Sequence, residues 1–278
     1  MSDMTGDPFL LRAILATLFA GIACSVVGVL VVTMRVSFLG VCMSHAAFAG
    51  ALLGLVMGAH PMWLAILASL VAAGALGPLA DRGDFAPDTA IGIVFSSALG
   101  VSFLLLSIIP GPKTEALSLL WGSVLTVTAG SLYLLAAVAA AATLMISLFF
   151  KEIQTVIFNR ELARSLGLPA TWVFYGILVL SGLTTTASLS AIGGLLVFSL
   201  IVNPAAAAYQ LTYSLRKMFV IAAAIGVASG WIGLALSWRL NLPTGALIIL
   251  ASCAFFVLAN VISPKRRARR LNLEEGEV

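Results

Sequence analysis

His45 is the residue of this chain whose chemistry most needs an explanation. It stands in an apolar run with Cys42 three residues before it. On a helix that spacing puts imidazole and thiol on neighbouring positions of one face. A neutral imidazole and a thiolate suit a soft divalent ion such as zinc. Two readings of His45 stand: an ionisable group in an apolar span marks a pathway, or it makes a hydrogen bond between helices. Cys42 beside Met43 is equally well read as packing filler. Asn203, just before Pro204, either satisfies backbone groups freed at a helix break or lines a pathway. Thr184, Thr185 and Thr186 add hydroxyls. Asp88 opens an apolar run, where it is either a charge on the positive end of a helix dipole or a pathway carboxylate. His60 and Glu115 fall near the other ends of such runs, where they either greet an incoming ion or sit at an interface without a role.

The elements that must hold these side chains are set by composition. Of 278 residues, 61% are hydrophobic and 9% charged, which excludes a water-soluble fold. Reading between charges and Pro/Gly breaks gives about nine spans, near 10–34, 38–58, 61–80, 88–109, 128–150, 171–190, 191–212, 217–239 and 243–262, with eight to ten open. The expected fold is therefore an all-α polytopic membrane protein, one transmembrane domain over 1–278 with a basic tail at 263–278. Met1–Pro8 has no basic stretch of a cleaved secretory signal. No CxxC spacing links Cys24, Cys42 and Cys253, and no HExxH or paired mid-span carboxylates occur, which speaks against a disulfide framework, a membrane enzyme and an ion-coupled carrier.

Charge gives the orientation. With the tail inside, Arg35, Arg82, Lys151, Arg160, Arg164, Arg216, Lys217, Lys265, Arg266, Arg267, Arg269 and Arg270 are cytoplasmic, leaving Arg12, Lys113 and Arg239 of the 15 cations outside. The net charge of +4 is then a topology signal, and the tail lies on anionic lipid rather than on nucleic acid. Small residues provide the packing: Gly50, Gly54 and Gly58 repeat every four positions, as do Gly226 and Gly230, with Gly233 near the same face.

Two segments do not cross. Pro110–Lys113 with Ala116–Thr126 is too short and broken, and is expected as a partly inserted outer helix or gate. Lys151–Pro169 reads as a short amphipathic cytoplasmic helix: Asn159 is its N-cap, Glu161 a first-turn anion, Leu162, Ala163 and Leu166 share a face, and Gly167-Leu168-Pro169 stops it. Such a helix in a protein with so little cytoplasmic mass needs a partner to dock on, the bland alternative being a helix resting on the bilayer.

Taken together these pieces resemble one family, the membrane-spanning permease subunits of zinc, manganese and iron ABC importers. The resemblance is carried by Arg35–Gly40 leading to Ser44-His45-Ala46 and Gly50, Asp88–Ser96, Leu120–Ser123, Glu161-Leu162-Ala163 with Leu166-Gly167, Gly193–Val197 running to Pro204-Ala205-Ala206, and Leu242–Ala246. It implies the ABC importer permease fold in a plasma (inner) membrane, with the C-terminus cytoplasmic. It also implies a homodimer of two copies, a pair of ABC ATPase subunits below and an extracytoplasmic solute-binding protein above. The divalent metal ion is the substrate, with no permanently bound cofactor. The stretch from Asn159 through Arg160, Glu161, Leu162, Ala163 and Leu166 to Gly167 matches the family's coupling helix. The family's second span carries an Asp four residues before the His that His45 matches, and here that position is Val41. This departure leaves open a permease for a metal chelate or cobalamin-like cofactor. Gly111-Pro112-Lys113-Thr114 ends like a phosphate loop, but Leu106 occupies the place of its first glycine, so ATP hydrolysis is expected on a separate subunit.

Overall fold

The computed structural model describes residues 8–82, 86–109, 113–114, 124 and 127–266. Among them nine helices are long and apolar enough to cross a bilayer. They are α1 (Pro8–Thr33), α2 (Leu39–Met57), α3 (Pro61–Arg82), α4 (Pro87–Ile108), α5 (Ala129–Leu148), α8 (Ala170–Ile192), α9 (Gly194–Leu211), α10 (Leu215–Leu240) and α11 (Thr244–Ile262). Two short helices, α6 (Phe150–Phe158) and α7 (Arg160–Ser165), lie between α5 and α8. Expected and observed spans differ by a few residues at their ends, because hydropathy changes gradually while helices stop at particular caps. The segment around Glu115, expected as an outer helix or gate, and the tail beyond Arg266 lie outside the described residues.

The middle of the bundle is built from α1, α2, α8 and α9, the helices with the most buried spans. α2 packs on α3 and α4, α1 on α10 and α9, and α11 closes the far side against α9 and α10. Close approach replaces the hydrophobic drive that lipid does not supply. At Gly28 an added methyl would meet the Ile201 carbonyl oxygen of α9, and at Gly50 the Leu64 carbonyl oxygen of α3. Gly54 faces Pro61; Gly226 and Gly230 lie against Gly21 and Thr17 of α1. Two expectations change. Gly58 packs against nothing and instead caps α2 in the left-handed conformation at φ 65°, and Gly233 faces Ile248 of α11 rather than α1.

Cationic side chains hold one end of the bundle together. The Arg216 guanidinium lies 5.2 Å from the centre of the Phe150 ring, and Lys265 sits 3.7 Å from that of Tyr209. Arg160 lies 4.2 Å above Phe174. The starts of α6, α7 and α10 and the ends of α9 and α11 therefore share one face of the molecule.

Candidate functional site

His45 is six residues inside α2, and among the described residues it is the one Asp, Glu, His, Lys or Arg set more than five residues from a span end. Phe38, Val41 and His45 form a partly open stripe at helical spacing. Phe95 of α4 closes one side: its ring meets that of His45 edge-on at 5.1 Å and that of Phe38 at 5.0 Å. Nδ1 of His45 is buried and has no hydrogen-bond partner among the described residues. A buried polar atom left unpaired costs roughly 1–3 kcal/mol, so this imidazole is not explained as an interhelical clamp.

Cys42 points elsewhere. It is fully buried in the main apolar cluster, while the imidazole is half-open beside Phe95. No group of three His, Cys, Asp or Glu side chains able to hold an ion occurs among the described residues. One chain thus presents a lone imidazole, His45, with Val41 one turn away, and a single imidazole holds a divalent ion only weakly. That is compatible with transient passage rather than storage, since an ion held by few ligands leaves easily.

Asn203 has a structural occupation. Its Nδ2 lies 3.0 Å from Ser199 Oγ, 2.9 Å from Ser252 Oγ and 3.2 Å from Cys253 Sγ, tying α9 to α11. Pro204 cannot bond the Leu200 carbonyl, and Ser25 Oγ of α1 approaches that oxygen at 3.4 Å instead. Thr186 Oγ1 lies 3.0 Å from Ser69 Oγ and 2.8 Å from Gly182 O, whereas Thr184 Oγ1 and Thr185 Oγ1 are buried without a partner among the described residues. Asp88 is exposed in the first turn of α4, after Pro87, and His60 is exposed where α2 turns into α3. None of these joins His45 in a described cluster.

The segment after α5 is built from its cap outward. Asn159 adopts an extended backbone at φ −158°, and its Oδ1 accepts from the Glu161 and Leu162 amides at 2.9 and 3.0 Å. This breaks Lys151–Pro169 into α6 and α7 rather than one helix. α7 ends as Gly167 turns to φ 77° and the Leu168 amide returns to the Ala163 carbonyl at 3.0 Å. Ala163 is buried against Val156 and Ala170, while Leu162 and Leu166 face outward at 45% and 65% exposure. The three do not share a face, because Ala163 is the foot of the helix and the two leucines its outer surface. Arg160 over Phe174, and an Arg164 guanidinium nitrogen 3.1 Å from Thr171 Oγ1, fasten α7 to the first turns of α8. Phe158, 83% exposed, extends the outer surface. Sequence reading passed over it because it precedes the cap.

The chain matches known proteins along most of its length. The model of the ABC 3 transport family matches residues 6–263. The manganese transport system membrane protein MntC of Listeria monocytogenes is 31% identical over 258 residues, covering 93% of this chain and 92% of that protein. The chelated iron transport system membrane protein YfeD of Yersinia pestis is 30% identical over 259 residues, covering 93% and 87%. In structure, a chain of PsaBC from Streptococcus pneumoniae, solved in complex with Fab, superposes with a TM-score of 0.85 at 28% identity, over 97% of each chain. This chain, whose described residues form nine membrane-length helices and a small capped helix at a cationic end, is matched by that family over almost its whole length and belongs to the ABC 3 transport family.

Proposed function

We propose that this chain is the permease subunit of an ATP-driven importer for a divalent transition-metal ion. Two copies pair around the pathway, with their α2 stripes contributing a His45 from each side. The cationic end faces the cytoplasm, where two ATPase subunits grip α7, and a solute-binding protein delivers the ion to the other end. Nucleotide-driven change in the separation of the two α7 helices would open the pair first to one side and then to the other.

The observation that carries this reading is α7 itself. It is capped at both ends, fastened to α8 through Arg160 and Arg164, and turns Leu162 and Leu166 outward. A helix so short does not hold itself together in water, and an outward apolar surface on a rigid foot suits a partner that pushes on it. The relatives' names, manganese for MntC and chelated iron for YfeD, support a metal cargo. Val41 in place of a carboxylate is what keeps the chelate reading in view.

The test is reconstitution of the chain with its ATPase and binding protein, measuring ATP-dependent uptake of manganese, iron, zinc and cobalt and of an iron chelate. Free-ion uptake that falls with His45→Ala, and uptake uncoupled from hydrolysis by Leu162→Glu, are the expected results. Uptake of the chelate alone would transfer the assignment to the second reading. Accumulation by the chain without nucleotide or partners would end both.

A further inference from the structure

We infer that the cleft behind α6 and α7 is a binding site for one phospholipid with an ammonium headgroup. The cleft has a volume of about 360 Å³, within the roughly 300–1,000 Å³ typical of small-molecule sites. Leu30 of α1, Met145 of α5, Ile153 of α6, and Val173, Ile177 and Leu180 of α8 form its apolar walls. Glu152 is the one charged residue in its described lining, and its carboxylate has no ion pair or hydrogen bond to another described residue.

Three observations select the occupant. Away from Glu152 the walls are apolar side chains with too few partners for water, which needs two to four of them, so the space between them takes hydrocarbon. Beside the cleft, Leu144 and Leu148 are exposed on α5 and Phe149 just after its end, the surface of a helix that meets lipid tails. Trp172, 78% exposed at the edge of the cleft, and Lys151, next to Glu152 in sequence, are the residue types that collect at headgroup level. A lipid seated there puts an acyl chain between the walls and its headgroup beside Glu152. Of the charges on Lys151 and Glu152 only the Glu152 carboxylate lines the cleft, and it favours an ammonium over the bulkier, methylated choline or an anionic glycerol. The position matters for the transporter: Leu168 and Pro169, the link from α7 to α8, also line the cleft, so the lipid would lie between the helix that receives the push and the bundle that must move. The inference rests on the chain spanning a bilayer and not on its cargo.

The experiment uses the purified chain in phosphatidylcholine vesicles carrying a trace of phosphatidylethanolamine with a photoreactive acyl chain, with labelled peptides mapped by mass spectrometry. Labelling is expected to concentrate in 145–153 and 168–180. The choline analogue with the same chain should label about threefold less, the scale of one exposed charge contact. Glu152→Gln should bring the two headgroups level, and Val173→Trp should remove most of the label from both. The headgroup comparison on the unaltered chain and on Glu152→Gln stands even if the tryptophan variant fails to fold. Equal labelling by the two lipids, equal or stronger labelling by a phosphatidylglycerol analogue, label spread evenly over the spans, or label abolished by adding the ATPase would each overturn the assignment.

Discussion

Removing the Asn159 side chain tests whether α7 works as a preformed knob. Asn159 Oδ1 satisfies two amides at the start of a helix of six residues, at 2.9 and 3.0 Å. Nucleation dominates the cost of so short a helix, so the cap is a large share of its local stability. Replacing a capping Asn by Ala costs typically about 1 kcal/mol. If α7 is ordered only by a comparable margin, that loss lowers its ordered fraction from about 0.84 to about 0.5, and the apparent affinity of a partner for it by the same factor, a little under twofold. The seat formed by Ala163, Arg160 and Arg164 is untouched, so the membrane bundle keeps its thermal stability. Asn159→Asp is the control, since aspartate caps about as well and adds a charge at the positive end of the helix. The assay is binding of purified ATPase to the reconstituted chain, together with the ratio of ions imported to ATP hydrolysed. Asn159→Ala should weaken binding about twofold while Asn159→Asp stays near the unaltered chain. Identical behaviour of the two variants would show that the cap is irrelevant to docking, and the reasoning would fail.

Gly28→Ala would drive a methyl into the Ile201 carbonyl, and overpacking of this kind costs about 1–3 kcal/mol, so a fall in the unfolding temperature in detergent is expected; an unchanged temperature would refute the close α1–α9 contact. Asn203→Ala removes the contacts to Ser199, Ser252 and Cys253, worth roughly 1–2 kcal/mol in a membrane interior. The thermal stability of that variant should fall while surviving protein still transports, whereas lost uptake at unchanged stability would move Asn203 onto the pathway. Val41→Asp adds a carboxylate one turn from His45 and should make the purified chain retain a divalent ion longer than Val41→Leu does; equal retention by both would show that the α2 stripe does not meet the ion.

Local signals were legible because their causes are local. Apolar runs of bilayer length set the nine spans found among the described residues, and Asn159, Gly167 and Pro169 delimit α7 through hydrogen bonds and backbone angles within a few residues. What a residue meets across the bundle was not legible. Gly54 and Gly58 look alike in sequence, yet one accepts a neighbouring helix and the other ends its own. Gly28, one of the tightest approaches in the structure, belongs to no four-residue repeat, since its partner is a carbonyl some 170 residues away. Asn203 and His45 both read as polar groups in apolar runs; tertiary packing gave one two partners on another helix, beside Ser199 on its own, and left a buried nitrogen of the other without any among the described residues. The order of apolar runs decides that a chain enters lipid and, to within one crossing, how often it crosses, because transfer energies sum along each segment. Which polar group is spent on holding the helices together, and which is left for an ion, depends on contacts between segments far apart in sequence, and only the folded bundle decides it.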